Sequence, residues 1–258
     1  MRIIFIGDTV GKAGRAIVYQ HLKHLQEDYQ ADLTILNCEN AAAGFGVTPK
    51  IADEFFDWGI DVLTSGNHIW DKKEIIPYLA KNSRILRPAN YPADNPGKGV
   101  TLLKTQSGEQ AAVINLQGRV FMPPTDDPFR VADAELAKLP KDVKVIFVDM
   151  HGEATSEKVA MGWYLDGRVS AVVGTHTHIP TADETILPGG TAFLTDVGMA
   201  GPFYSVIGVV KEDVIRRFLT SIPSPFESAS QDARLNGVFI DVDSATGKAR
   251  HIERIHVT

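Results

Sequence analysis

The chain of 258 residues holds a single cysteine, Cys38. An internal disulfide is therefore excluded, and an unpaired thiol among polar neighbours fits a reducing compartment. Positive charge is also scarce: 26 Lys and Arg stand against 32 Asp and Glu, a formal net charge of −6. No global field draws such a chain to anionic lipid or nucleic acid, so nucleic acid is not expected as a bulk ligand. Any phosphate-bearing substrate needs a local positive centre. Long hydrophobic runs are missing as well. No apolar stretch reaches the roughly 18 residues that span a bilayer. The run after Arg2 stops after four residues at Gly7-Asp8, too short for a secretory leader. The expected location is cytoplasmic, with no membrane partner. A length of 258 residues is compatible with one large domain or two small ones. No repeat, low-complexity tract or linker divides the chain, so one domain over residues 1–258 is expected.

What is present is a series of short β-branched runs alternating, in the first part of the chain, with stretches of helical spacing, an α/β pattern. Ile3 to Ile6 reads as a strand, followed by a helix in which Ile17, Val18, His21, Leu22 and Leu25 share a stripe. Leu33 to Leu36 and Asp61 to Thr64 read as further strands, with helices around Lys50 to Trp58 and Asp71 to Leu79. The segment RILRPANYPADNPGKG reads as a long surface loop because of its prolines, asparagines and glycines. Gly99 to Lys104, Ala111 to Leu116, Val143 to Val148, Val169 to Val173 and Thr191 to Leu194 read as strands, and VADAELAKL as a helix. Gly237 to Val242 and Ala249 to Ile255 read as a closing hairpin.

Each of several strands ends in polar residues of one chemical kind. Asp8, Glu39 with Asn40, Asn67 with His68, His151, and His176 with His178 follow five different runs. Ligands of α/β folds collect at the carboxyl ends of strands, so these residues can converge on one pocket. Carboxylate, amide oxygen and imidazole suit manganese, iron or zinc rather than a thiolate-held structural ion. Their number exceeds what one catalytic ion needs and favours two. A pair of divalent ions lowers the pKa of bound water and clamps a phosphoryl group for in-line attack. Two such ions, less two carboxylates and a hydroxide, leave a site charge of about +1 that attracts a phosphodiester monoanion.

Gly7-Asp8, Glu39-Asn40, Gly66-Asn67-His68, His151-Gly152-Glu153 and Gly174-Thr175-His176-Thr177-His178 resemble, in order and spacing, the motifs of the calcineurin-like metallophosphoesterases. The wording around them, GDTVGKAGR, NCENAAAGFG and TDVGMAGP among others, resembles the YmdB-like branch. That resemblance covers most of the chain. It implies an αββα sandwich of two mixed β-sheets flanked by helices, and a phosphodiesterase acting on 2′,3′-cyclic nucleotides. It also implies that Asp8, Glu39, Asn40 and His178 serve one metal, and that Glu39, Asn67, His151 and His176 serve the other. Iron or manganese is expected, with zinc as the alternative. Glu39 would bridge them, and His68 would protonate the leaving oxygen. Two features depart from the wider superfamily: Asp8 is followed by Thr9-Val10 with no histidine two residues on, and the bridge is Glu39 rather than aspartate. Both fit the YmdB-like branch.

Other readings stand beside these. Asp8 alone could be a helix N-cap. The Gly7 to Lys12 segment has one residue too few between its glycines for a phosphate-binding P-loop. Lys12 and Arg15 could touch substrate phosphate or be ordinary solvated charges. His21, His24, His251 and His256 read as structural or solvated, and Cys38 as a small buried apolar residue. Asp149, Asp183 and Asp196 are candidates for orienting imidazoles, with turn or cap chemistry as the alternative. Against the phosphodiesterase stand a phosphomonoesterase or protein phosphatase, and a non-catalytic metal-containing regulator linked to nucleotides or RNA. The expected partner is a small phosphodiester, a cyclic nucleotide; a homo-oligomer stays open.

Overall fold

In a computed structural model, which describes residues 1–105, 107–223 and 225–258, the apolar runs form two β-sheets packed face to face. In chain order the elements begin with β1 (Arg2–Ile6), β2 (Asp8–Thr9), α1 (Gly11–Tyr29), β3 (Leu33–Asn37), α2 (Pro49–Asp57) and β4 (Val62–Thr64). A 3-10 turn (Asn67–Trp70), α3 (Ile75–Leu79), β5 (Val100–Lys104), β6 (Gln110–Gln117) and α4 (Pro128–Lys138) follow. Next come β7 (Val145–His151), α5 (Thr155–Leu165), β8 (Ala171–Thr175), β9 (Thr185–Ile186) and β10 (Ala192–Leu194). The last are β11 (Met199–Pro202), α6 (Lys211–Thr220), β12 (Ala233–Val242) and β13 (Ala249–Val257).

The first sheet runs β2-β11-β12-β1-β3-β4, with β13 also paired to β12; the second runs β5-β6-β7-β8-β10-β9. Both are mixed. β1, β3 and β4 are mutually parallel while β12 runs against β1. In the second sheet β6, β7, β8 and β10 are parallel, with β5 and β9 antiparallel at the edges. Strands buried on both faces need apolar side chains at every position, and β1 meets that demand. Ile3 and Phe5 point into the layer between the sheets, where Phe5 meets Phe147 edge-on at 4.9 Å. Such a pair contributes about 0.5–1.5 kcal/mol beyond its area burial. Ile4 and Ile6 face outward against Ile17, Val18 and Leu22 of α1. On the far side, Ile114, Val148 and Val172 pack with Met161 and Leu165 of α5. The four layers make the metallophosphoesterase-type αββα sandwich.

Differences from the sequence reading have local causes. α4 starts three residues before VADAELAKL because Asp127 caps it, accepting from the amides of Phe129 and Arg130, with Pro128 in its first turn. The expected helix over Asp71 to Leu79 is helical only in the short α3, with bends and turns over residues 71–74 and the 3-10 turn lying before it. The segment read as a surface loop runs partly through the interior: Ile85, Leu86, Arg87 and Asn90 are buried, and Ile85 bridges to Leu63. Its buried polar groups are satisfied, Arg87 by the carbonyls of Pro88, Asn95 and Pro96 and Asn90 by backbone and Thr125. α5 and α6 are additions to the elements expected from sequence. The apolar stripe of α5 is obscured because Lys158 is buried with Met161 and Leu165 while Trp163 and Tyr164 are exposed, and α6 leaves Phe218 and Leu219 exposed. No helix of the described residues is long and apolar enough to cross a membrane.

Candidate metal centre and active site

The parallel strands deliver their carboxyl ends to one rim. Asp8 follows β1, Glu39 and Asn40 follow β3, Asn67 and His68 open the turn after β4, His151 ends β7, and His176 and His178 follow β8. All seven expected ligands meet there, and His68 lies among them. Asp8 does not cap α1, whose N-cap is Val10 and has no side-chain partner.

Two carboxylates lie at the centre, both fully buried, and they are held in the same way. Asp8 accepts the His176 amide on Oδ2 at 3.1 Å, and Glu39 accepts the His68 amide on Oε2 at 3.2 Å. Their other oxygens, Asp8 Oδ1 and Glu39 Oε1, are buried without a hydrogen-bond partner. A buried carboxylate oxygen left bare is costly unless a cation satisfies it. Burial raises the Asp8 carboxyl above the ordinary range, against the opposing charges of His178 and His151. Burial pushes Glu39 the same way, but His151, His68 and His176 outweigh it and hold Glu39 at about 2.

Hydrogen bonds assign the imidazole tautomers. Thr175 Oγ1 donates to Asp149 Oδ1 at 2.7 Å, so at 2.9 Å it accepts the proton of His151 Nδ1. The lone pair of His151 Nε2 then faces Glu39 Oε1 at 3.1 Å and Asn67 Oδ1 at 3.3 Å. His178 Nδ1 donates to the Ile207 carbonyl at 2.7 Å, which turns Nε2 to Asn40 Oδ1 at 3.3 Å. The Asn40 amide is oriented by Nδ2 donating to the Gly44 carbonyl. His176 Nε2 meets Glu153 Oε2 at 3.2 Å, leaving Nδ1 only 3.1 Å from His151 Nε2. Two lone pairs cannot face each other at that distance without a positive centre between them. In the metal-free chain a proton serves: burial lowers the affinity of His151 for it, but Glu39, Asp8 and Asp149 raise that group to about 9. His176, pushed down to about 3 by burial and by His151, stays neutral. Glu39, His151 and His176 bring one donor atom each within 4.8 Å of one another, and the donor set fits a divalent ion of the borderline kind.

The backbone is strained where these ligands sit. His176 and His178 both have positive φ, 104° and 66°, a conformation that costs about 1–3 kcal/mol at a non-glycine residue. Asp196 fixes the loop between them, accepting from Thr177 N at 3.1 Å and Thr177 Oγ1 at 2.8 Å. Lys158 pairs with Asp196 at 2.7 Å, and both side chains are buried. Asp149 and Asp196 therefore orient the histidines. Asp183 binds Thr195 instead. Gly66 is required by close approach, since a Cβ there would lie 2.1 Å from the His151 ring. Cys38 is buried and its thiol is pushed upward by that burial, so it offers no thiolate. Arg15 pairs with Glu54, and His24, His251 and His256 bind Asp28, Glu253 and Asn236.

The sequence reading missed Asp71, Glu153 and Lys158 as partners. Asp71 Oδ2 lies 2.8 Å from His68 Nδ1, a contact legible as an i,i+3 spacing in NHIWD. Glu153 stood in a recognised motif without a role, and Lys158 reaches Asp196 across 38 positions of sequence.

Comparison with known proteins agrees with this geometry. A profile of YmdB-like proteins matches residues 4–255. A Bacillus subtilis protein named 2′,3′-cyclic-nucleotide 2′-phosphodiesterase is 52% identical over 255 residues, covering 99% of this chain and 96% of the relative. A crystal structure of a hypothetical protein from Thermus thermophilus superposes with a TM-score of 0.93 at 42% identity, covering 99% and 98% of the two chains. A Mycoplasma pneumoniae structure described as a novel phosphatase gives 0.94 at 38% identity, covering 100% and 93%. With its motifs, its sandwich and these relatives in agreement, the chain belongs to the YmdB-like family and is a phosphoric ester hydrolase.

Proposed function

We propose that residues 1–258 act as one domain, a two-metal phosphodiesterase whose substrate is a 2′,3′-cyclic nucleotide. The observation that carries this is the pair of buried carboxylates, Asp8 and Glu39, each anchored through one oxygen while the other makes no well-formed hydrogen bond and faces His151, at 3.9 Å from Nδ1 and 3.1 Å from Nε2 respectively. Asp8, Glu39, Asn40 and His178 would hold one ion, and Glu39, Asn67, His151 and His176 the second, with Glu39 between them. Iron or manganese suits this oxygen- and nitrogen-rich set, and zinc is the alternative. Divalent ions bound there would supply Lewis acidity toward the phosphoryl oxygens and bring the pKa of water toward neutrality.

The chain's own residues do the rest. Asp71 engages His68 Nδ1, so the proton available to a leaving oxygen is the one on Nε2. Phe45 packs edge-on against the His68 ring at 5.1 Å and limits its rotation. The lining of the adjoining pocket favours the diester over the monoester. Among the described residues no Lys or Arg lines it, while Glu153 and Glu227 do, so a substrate with one negative charge is better tolerated than a dianion. The buried, unpaired Cys38 supports a cytoplasmic location. The test is kcat/KM for 2′,3′-cyclic AMP beside a simple alkyl phosphomonoester, before and after chelation. Preferential, chelator-sensitive cleavage of the cyclic diester is expected; equal or greater monoester cleavage would favour the phosphatase reading.

A further inference from the structure

The pocket beside the candidate metal centre has a lining of two kinds. Glu39, Asn40, His68, His176 and His178 are polar; Val10, Phe45, Ile179, Ile207, Val209 and Phe226 are apolar. Its volume of about 460 Å³ falls within the range of small-molecule sites and far exceeds what a phosphoryl group fills. Ile179 and Ile207 are 54% and 48% exposed, large apolar side chains kept in water beside a polar centre. Phe226 is held rather than loose: the Arg217 guanidinium carbon lies 4.8 Å from its ring centroid. Among the described residues no Lys or Arg lines this pocket, whereas Glu153 and Glu227 do; the nearby Arg217 is engaged with the Phe226 ring.

From this we infer that the Phe226–Ile207–Ile179 wall is a binding subsite for the neutral aromatic base of the substrate, and that Phe226 is its specificity-determining residue. The inference rests on the phosphodiesterase reading above. A planar, uncharged ring is the chemistry that an aromatic and two branched aliphatic side chains accept. A second phosphate or a polynucleotide chain would meet Glu227 and Glu153 in a pocket that no Lys or Arg lines among the described residues, Arg217 lying against the Phe226 ring. A cyclic phosphodiester at the candidate metal ligands with its base on the Phe226 wall makes the occupant a mononucleotide.

The test uses the metal-loaded full chain with two cyclic diesters, 2′,3′-cyclic AMP and the base-free glycerol 1,2-cyclic phosphate. Phe226→Leu keeps apolar bulk but removes the ring; Phe226→Tyr keeps the ring. Base–aromatic stacking predicts that Phe226→Leu lowers the ratio of kcat/KM for cyclic AMP over glycerol cyclic phosphate by about 10-fold, through KM. Phe226→Tyr restores the ratio. If the ratio is unchanged in Phe226→Leu, or falls equally in both variants, the base subsite is overturned while the phosphodiesterase reading stands. Wild-type protein that cleaves neither diester overturns that reading and the subsite with it.

Discussion

The two halves of the proposed metal centre are built differently. On one side Glu39, His151 and His176 already converge, with donor atoms within 4.8 Å and nitrogen atoms of the two imidazoles 3.1 Å apart. On the other, His178 Nε2 meets Asn40 Oδ1 at 3.3 Å, while Asp8 accepts the His176 amide and lies 3.9 Å from His151 Nδ1. The sequence has no histidine two residues after Asp8 to complete that half. The first half is a concentrated positive-ion trap, preformed by the ends of β7 and β8. The second offers one imidazole, one carboxylate and one amide, held by backbone contacts from Ile207 and Gly44. Charge and donor number set affinity more than reach does, so the halves should fill in order.

The strongest way to break the comparison is to remove the residue common to both halves. Glu39→Gln should reduce cyclic-diester hydrolysis to the uncatalysed background, with metal content by elemental analysis falling in parallel. His68→Ala should lower kcat by about 10²–10⁴-fold, the range for general acid catalysis, with metal content unchanged, because its side chain is not one of the expected ligands. Asp196→Asn and Asp149→Asn leave every ligand in place and disturb only what orients them. Each should weaken metal binding by about 10–100-fold, read by calorimetric titration of the metal-free protein. Asp196→Asn should act on His176 and His178 together, whereas Asp149→Asn should act on His151 through Thr175 and on Glu39 through Asn37.

Acid sharpens the contrast with the smallest effect. Burial raises the carboxyl of Asp8, whereas Glu39 is held at about 2. A proton therefore competes with metal for Asp8 at higher pH than for Glu39. As pH falls, the Asp8 half should release its ion before the Glu39 half, giving a plateau near one ion per chain in elemental analysis of dialysed samples. Simultaneous loss of both ions would mean that the halves are not distinct.

Most of the fold was legible because β1, β3, β7 and β8 are buried on both faces and so read as apolar runs with polar ends. The candidate ligands were legible for the same reason: each interrupts a strand at the point where it leaves the core. Residues acting across the fold were harder to read. Lys158 is the one cation of α5, and its burial depends on Asp196, far away in sequence. The interior path of residues 85–90 was hidden by Pro, Asn and Arg, which signal a loop unless their partners are known. Phe226 lies in an irregular segment with no periodicity to place it, and its contacts with Arg217 and the pocket are tertiary.

The central claim, two unequal metal positions serving one hydrolytic site, is tested by titrating metal-free protein with Mn²⁺ and assaying 2′,3′-cyclic AMP hydrolysis after each addition. Two equivalents per chain are expected, the second weaker, with hydrolysis appearing as the second binds. Saturation at one equivalent, or hydrolysis that persists after complete metal removal, would contradict it.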